Sequence, residues 1–293
     1  MRDLYSIIEN VSGELYIRAL KNVPSDVKEA LEKAYKAEDT KIGKAVLEII
    51  LKNIKIAKDN DMLVCQDTGT PIYYVFVGED LAINYKRLYE SIKRGVSTVT
   101  KKYFLRPNCV DVITRNPRGD NVGLDIPVIH IEVDEALSSG LRIVCIPKGS
   151  GSENQSFLKM LSPADGVKGL MSFIIESIIA GASKACPPVI VGIGIGGTFE
   201  SCALLAKKAA CVRKLGSYHL NPKIREMEER LLKAINETGI GPMGLGGKTT
   251  ALGVHIEVAD THISQLPVAV NIQCWKGQRA EALIKENLEV ELT

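Results

Sequence analysis

The chain has 293 residues, of which 45% are hydrophobic and 25% are charged, a composition typical of a globular protein that can bury a substantial core. Its 37 basic and 35 acidic residues nearly cancel, and aromatic residues make up only 5%, so nothing in the composition indicates a nucleic-acid or membrane-surface partner. Charges at Asp3 and Glu9 interrupt any apolar N-terminal segment, and no run of about 18 apolar residues follows. We therefore expect a cytoplasmic protein without a signal peptide or a membrane-spanning helix.

The first 60 residues are predicted to be helical, because apolar residues recur at helical spacing after Pro24 and again from about Thr40 to Asp59. Beyond them the patterns predict strands at about 72–77, 126–133, 141–147, 189–193, 250–258 and 266–272, and helices at about 84–103, 162–182, 199–214 and 222–237. Strands and helices do not alternate regularly, which indicates a mixed α/β (α+β) fold. We expect one domain, 1–293, with a helical N-terminal region, 1–60, followed by a mixed sheet with packed helices, 61–293.

Seven cysteines in a chain without an export signal favour reduced thiols or metal ligands over a disulfide framework. No two of them form Cys-x-x-Cys, so a metal site would have to gather cysteines from distant segments. Cys65, Cys186 and Cys274 each lie in a turn at the end of an element, where a side chain can point into a cleft. Four cysteines fit small buried hydrophobic residues better: Cys109, which fits least well, Cys145, Cys202 and Cys211.

Two glycine-rich segments resemble nucleotide-binding motifs but depart from them. GIGIGG at 192–197 should be followed about 20 residues later by an acidic residue, and the segment found there, KLGSYHLNPK, has none. GPMGLGGKTT at 241–250 has Pro242 where a phosphate-binding loop needs its first glycine. A nucleotide-dependent enzyme is therefore disfavoured. The second segment either cradles an anion through its backbone N–H groups or forms a tight connection.

The sequence resembles class I fumarases and L-tartrate dehydratases through eight motifs that occur in order: VCQDTGT, LRPN, NVGLDIP, GSGSEN, ACPP, GIGIGGTFE, GPMGLGGKTT and PVAVNIQCW. The resemblance covers essentially the whole chain and is to the α subunit, or N-terminal half, of that family. It implies that Cys65, Cys186 and Cys274 hold three irons of a [4Fe–4S] cluster whose fourth iron has no protein ligand. Such an iron can act as a Lewis acid toward a substrate hydroxyl and carboxylate.

The resemblance also implies a set of residues that contact the substrate: Gln66, Asp67, Arg106, Gly149, Gly151 and His262. Asp67 and His262 are further implied to be catalytic. Arg106 suits a carboxylate because its planar guanidinium can form two parallel hydrogen bonds, and the two glycines suit it through their N–H groups. The other three histidines are interpreted as structural.

The reaction that this resemblance implies is the reversible hydration of fumarate to (S)-malate, a step of the tricarboxylic acid cycle. No segment resembles the family's other half, so we expect an α subunit that pairs with a separate β subunit, as a dimer of heterodimers, with the β subunit supplying the general base. Dehydration of L-tartrate is the nearest alternative, and mesaconate or another branched analogue is a further one. An iron–sulfur redox or sensor protein is the alternative from another class, and it predicts Cys109 as a fourth ligand.

Overall fold

The computed structural model describes residues 3–292, and their elements confirm the mixed α/β class and the helical N-terminal region. The helices are α1 (Leu4–Lys21), α2 (Ser25–Ala37), α3 (Lys41–Asp59), α4 (Tyr85–Lys102), α5 (Ser150–Glu153), α6 (Gly166–Gly181), α7 (Phe199–Cys211) and α8 (Pro222–Glu237). The strands are β1 (Thr70–Val77), β2 (Val128–Val133), β3 (Leu141–Lys148), β4 (Phe157–Leu161), β5 (Val189–Ile195), β6 (Ala251–Val258), β7 (Leu266–Gln273), β8 (Ala280–Ile284) and β9 (Val290–Leu292).

Contacts divide the chain into two compact units, each of which is discontinuous in sequence. The first unit takes the residues up to Val23, then Ala57–Gly149, then the residues from Gln278 onward. The second unit takes Pro24–Ile56 and Ser150–Gly277, so the division falls within α3. None of these crossing points has the composition of a linker.

The first unit is built on a five-stranded sheet with the order β2-β1-β3-β8-β9. Only β1 and β2 run parallel; every other neighbouring pair is antiparallel. Helices α1 and α4 pack together and bury Leu15, Leu20, Leu88 and Ile92 in the same core as sheet residues such as Ile143. Each such side chain contributes about 1.5–3 kcal/mol when it is fully buried. Since β1 and β3 are antiparallel along their whole length, the start of β1 lies beside the end of β3.

The second unit is built on a four-stranded sheet with the order β4-β7-β5-β6, in which β5 and β6 are parallel and β7 is antiparallel to both its neighbours. Helix α7 packs closely on β5, and the glycines of the GIGIGG motif make this possible. A Cβ atom on Gly192 would lie 2.2 Å from the carbonyl oxygen of Ala206, so no larger residue fits beneath the helix. This close helix–strand contact accounts for the motif without a nucleotide.

Helix α6 and its flanking turns form one apolar segment, Pro163–Lys184, which is long and apolar enough by length and composition to cross a membrane. The expectation of no membrane-spanning helix rested on the shortness of the apolar run at 170–180, which contains Glu176, whereas the mean hydropathy within the longer segment reaches 1.3. One third of this segment is buried, and Leu170, Ile174 and Ile178 belong to the core of the second unit. Packing in this core accounts for the buried apolar face of the helix, whereas Val167 and Ile179 on its surface are exposed.

Candidate active site

In the first unit, the predicted site residues Cys65, Gln66 and Asp67 lie in the irregular segment just before β1. Cys65 and Asp67 are half-buried, and Gln66 is exposed. Because the start of β1 lies beside the end of β3, Asp67 is close to Gly149: a Cβ atom on that glycine would lie 3.2 Å from Oδ2 of Asp67. The other carboxylate oxygen accepts a hydrogen bond of 3.0 Å from the N–H of Gly69. The turn therefore orients Asp67 toward the end of β3.

A fully buried asparagine, Asn121, organises the neighbouring LRPN loop. Its side-chain oxygen accepts hydrogen bonds from the N–H groups of Asn108 at 2.6 Å and Cys109 at 3.2 Å, and its Nδ2 donates to the carbonyl oxygen of Arg106 at 3.0 Å. The side chain of Asn108 donates in turn to Oδ1 of Asp67 at 3.3 Å. One hydrogen-bonded network therefore links the loop that carries Arg106, an exposed residue, to the candidate acid–base residue Asp67.

In the second unit, Cys186 precedes β5 and Cys274 follows β7. These strands are antiparallel neighbours, so both cysteines lie at the same end of the sheet, which we call the cysteine end. The N–H of Trp275 donates to the carbonyl oxygen of Cys186 at 3.3 Å, which ties the two segments together. Cys186 is exposed and has a φ of +54°, a left-handed conformation that costs a non-glycine residue about 1 kcal/mol or more.

The residues at the cysteine end are chemically suited to a soft metal centre, with thiols as its ligands and a polar side chain that can contact a further bound group. None of the seven cysteines, all of which lie within residues 3–292, forms a disulfide bond. Next to Cys274, the side chain of Gln273 is only 2% exposed and its Oε1 has no hydrogen-bond partner in the described part of the chain. Because an unsatisfied buried acceptor is costly, this oxygen fits a bound group that donates a hydrogen bond to it.

The four cysteines that the sequence interpretation set aside are all buried: Cys109, Cys145, Cys202 and Cys211. Burial raises the pKa of Cys145 to about 12 and that of Cys202 to about 11. The pKa of Cys109 is also raised, mainly by burial. Since the thiolate is the form that binds metal, the raised pKa values make Cys109, Cys145 and Cys202 poor ligands. Burial alone does not separate the two sets, because Cys274 is buried as well.

Across residues 3–292, no three histidine, cysteine, aspartate or glutamate side chains are gathered as ligands of a single metal ion. A single zinc ion needs all its ligands within about 2–2.3 Å of one point. The thiolates of an iron–sulfur cluster each bind a different iron, so they do not meet at one point.

His262 lies at the opposite end of the four-stranded sheet from the cysteines, in the exposed loop between β6 and β7. The eight residues of β7 separate this loop from Cys274, a span of roughly 25 Å. The imidazole Nδ1 accepts a hydrogen bond of 3.2 Å from the N–H of Ser264. Its neighbour Ile263 is 90% exposed.

The structure thus brings most of the predicted residues together in two groups. The first unit groups Cys65, Gln66, Asp67, Arg106 and Gly149, and the second groups Cys186, Cys274 and Gly151. A Cβ atom on Gly151 would lie 3.7 Å from the carbonyl oxygen of Lys184, two residues before Cys186. The structure does not bring His262 to the cysteine end of its own chain.

The sequence interpretation missed residues that act through buried polar side chains. Asn121 is the first residue of the motif NVGLDIP, but no role was assigned to it, and Glu38 stands beside Asp39 and is typical of a surface acid. Gln273 lies in the motif PVAVNIQCW, directly before Cys274. A polar residue adjacent to a candidate ligand is a signal that could have been used.

Comparison with known proteins identifies the family of the chain. A family model described as fumarate hydratase (Fumerase) matches residues 9–283. A protein of Methanocaldococcus jannaschii, provisionally named L(+)-tartrate dehydratase subunit alpha, is 47% identical over 279 residues, which cover 95% of this chain and 98% of the relative. The L(+)-tartrate dehydratase subunit alpha of Escherichia coli K12 is 34% identical over 292 residues, which cover 98% of this chain and 93% of the relative.

These matches place the chain in a family of hydro-lyases, and the relatives are named as alpha subunits. The chain belongs to the class I fumarate hydratase and tartrate dehydratase alpha family, so the resemblance inferred from the eight motifs is confirmed.

Proposed function

We propose that this chain is the alpha subunit of an iron–sulfur hydro-lyase for a small dicarboxylate, with L-tartrate as the favoured substrate and fumarate as the second candidate. The names of the two relatives carry the choice of tartrate, because they match at least 95% of this chain. Fumarate stays a candidate because the family model is described by fumarate hydratase. The sequence interpretation ranked these two substrates in the reverse order, and the relatives favour its alternative.

In this proposal Cys65, Cys186 and Cys274 hold a [4Fe–4S] cluster, which supplies a Lewis acid for the departing hydroxide when it is bound. The support is the chemistry of the donors: thiols that form no disulfide and lie in turn segments, with an unsatisfied buried oxygen on Gln273 next to Cys274 in sequence. The buried Cys109 thiol, with its raised pKa, favours three ligands over the four that a redox protein would need.

The residues of the first unit bind and orient the substrate in this proposal. Arg106, exposed at the tip of the loop that Asn121 holds, pairs with a carboxylate. Asp67 exchanges a proton with the substrate hydroxyl and Gln66 hydrogen-bonds beside it, while the N–H groups of Gly149 and Gly151 receive carboxylate oxygens.

The two substrates share water elimination but differ in product. Loss of water from a 2,3-dihydroxy acid leaves an enol, which converts to a 2-oxo acid, whereas hydration of fumarate gives a 2-hydroxy acid. A site that acts on tartrate must also accept a second hydroxyl, and a buried unpartnered acceptor favours a substrate with that hydroxyl. Gln273 is the candidate acceptor.

We further propose that the enzyme needs a β subunit and contains two copies of this chain. Both relatives are named as alpha subunits, which supports a second kind of subunit. The position of His262 supports a second copy of the alpha subunit: its loop is exposed, and within its own chain it is roughly 25 Å from Cys274. His262 of one copy would then complete the site of the other. A cytoplasmic location stays a prediction.

The substrate is tested by anaerobic co-expression with the β subunit, reconstitution with iron and sulfide, and assays on L-tartrate, fumarate and mesaconate. We expect a 2-oxo acid from L-tartrate at a kcat/KM above that for fumarate. A higher kcat/KM on fumarate than on L-tartrate would make fumarate the favoured substrate. An intact cluster without activity on any of the three acids would refute the hydro-lyase proposal.

The second copy is tested by mixing two inactive variants in one assembly. His262→Asn and Cys274→Ser, co-expressed with the β subunit and separately tagged, are each expected to be inactive as pure assemblies. A mixed assembly should regain up to about half the wild-type activity, since one of its two sites then has both residues intact. If mixed assemblies stay inactive while the parent proteins fold, His262 does not act across copies.

A further inference from the structure

The carboxylate of Glu38 is a buried anion at the turn between α2 and α3, with only 2% of the residue exposed. One oxygen accepts hydrogen bonds from the N–H of Thr40 at 3.1 Å and from its hydroxyl at 2.9 Å. The other oxygen accepts from the N–H of Lys248 at 2.8 Å, and the N–H of Thr249 also donates to this carboxylate. Glu38 therefore joins the helical turn to the second glycine-rich segment, about 210 residues later.

That segment, residues 241–249, is here called the glycine loop, and it is shaped around Glu38. Gly247 has a φ of +137°, and a Cβ atom there would lie 2.8 Å from Oε2 of Glu38. Only a glycine allows the loop to approach the carboxylate this closely and in this conformation. The anion-cradling N–H groups that the sequence suggested thus receive an anion of the protein itself at Lys248 and Thr249.

The other half of the glycine loop contacts both sides of Cys186. The N–H of Met243 donates to the carbonyl oxygen of Pro187 at 2.8 Å, directly after the cysteine. A Cβ atom on Gly244 would lie 3.1 Å from the Cβ of Ser183, three residues before it. Because Cys186 has a left-handed backbone conformation, it keeps that conformation only where its neighbours enforce it.

We propose that Glu38 is a positioning residue for Cys186: it orders the glycine loop, and the loop holds the turn that presents the Cys186 thiol. This inference deepens the proposed function and rests on it, since Cys186 matters to the reaction only as a cluster ligand.

The charge of Glu38 is part of this arrangement. Burial alone would raise the pKa of Glu38, but the hydrogen bonds from Thr40, Lys248 and Thr249 outweigh burial and lower it, so the side chain is ionised at neutral pH. A glutamine has the same shape but replaces one acceptor oxygen by an NH2 group. That group must face either the Thr40 donors or the Lys248 donor, so one set of hydrogen bonds is lost.

The test measures the reactivity of single thiols in the full-length chain after a chelator has removed any metal. Glu38→Ala and Glu38→Gln are alkylated under reducing conditions, and the rate at each cysteine is followed by peptide mass spectrometry. We expect the alkylation rate at Cys186 to rise by about tenfold in Glu38→Ala, which is the size expected for the loss of one charge-assisted hydrogen bond. The rise should be smaller in Glu38→Gln. Cys65, in the other unit, is the internal reference and should keep its rate.

Asp39→Asn is the matched control, because Asp39 is the adjacent acid but is exposed and pairs only at the surface, with Nζ of Lys248 at 2.6 Å. It should leave the rate at Cys186 unchanged. In the assembled holoenzyme, the cluster of Glu38→Ala should be lost to an iron chelator about tenfold faster than that of wild type, followed by its absorbance.

An unchanged Cys186 rate in both Glu38 variants would overturn the proposal. So would an equal rise at the buried cysteines 145, 202 and 211, because Glu38 would then support the stability of the whole chain and not one turn. Failure of the proposed function is distinguishable: if Cys186 binds no cluster, Glu38→Ala still changes its alkylation rate, while no cluster absorbance is found in the wild type.

Discussion

The two units hold their candidate site residues by different chemistry. In the first unit a neutral carboxamide, Asn121, both accepts and donates hydrogen bonds to the loop that carries Arg106. In the second unit a carboxylate, Glu38, only accepts, and it acts on Cys186 through the glycine loop. Both side chains are almost completely buried. An amide can pair with either kind of backbone group at any pH, whereas a carboxylate binds N–H groups more strongly but only while it is ionised.

Among the variants that test this comparison, removal of the Asn121 amide should have the largest effect on stability. Asn121→Leu removes the acceptor of the N–H groups of Asn108 and Cys109 and leaves the carbonyl of Arg106 with only the hydrogen bond from Thr68, so we expect a loss of about 3 kcal/mol or more of unfolding free energy. Urea denaturation measures the total, and hydrogen exchange over residues 105–110 locates it. The exposed Asn116→Ala should change little, and an effect as small for Asn121→Leu would contradict the role of this residue.

The next largest effect is expected from the loss of the Arg106 guanidinium, which the same loop carries. Arg106→Lys keeps the charge but loses paired hydrogen bonds to a carboxylate, so kcat/KM should fall by about 10- to 100-fold with the protein still folded. The exposed Arg115→Lys, on the following turn, is the control and should keep wild-type kinetics. Equal kinetics for the two variants would remove Arg106 from the substrate site.

The pH dependence separates the carboxylate from the amide. The hydrogen bonds lower the pKa of Glu38 below its ordinary value of 4.5, so the folded protein binds this proton less readily than the unfolded chain. Its stabilisation, about 1.5 kcal/mol relative to Glu38→Gln, should be complete at pH 7 and decline as the pH falls below about 4.5. Denaturation of both proteins from pH 7 to pH 3 measures this. A difference that does not change with pH would mean that the charge of Glu38 is irrelevant.

The smallest effect is expected next to Glu38 in sequence. Asp39 and Lys248 form an exposed ion pair that solvent screens, so Asp39→Asn should not measurably change the denaturation midpoint or the thiol reactivity of Cys186. A clear loss of stability in this variant would show that the surface pair, and not the buried carboxylate, holds the glycine loop.

Much of the fold was predictable because it depends on local patterns. Apolar periodicity predicted α2 and α3. The helix expected from about residue 162 begins with a 3₁₀ turn, Pro163–Asp165, which Ser162 caps, and α6 starts at Gly166. The strand pattern was expected to end near residue 272, and β8 and β9 were missed because charged residues interrupt such short strands. The two-unit division was not predictable, since neither unit is continuous in sequence.

The candidate site was predictable where turn contexts and motifs mark it, as for Cys65, Cys186 and Cys274. The position of His262 was not, because only twelve residues separate it from Cys274 in sequence while β7 carries the chain to the other end of the sheet. Glu38 and Asn121 were missed for a related reason. Their roles depend on partners that the fold brings near them, at Lys248 in one case and at Arg106 in the other.

The place of β8 in the first sheet affects how the chain can fold during synthesis. Strand β8 pairs with β3 and carries β9 on its other side, yet both strands follow the second unit in sequence and are synthesised after all of its residues. Until then the nascent sheet ends at β3 with unpaired backbone groups, a state open to wrong pairing between chains. The second unit ends at Gly277, so all its residues are synthesised before β8. The first unit can complete its sheet only after β8 has been synthesised.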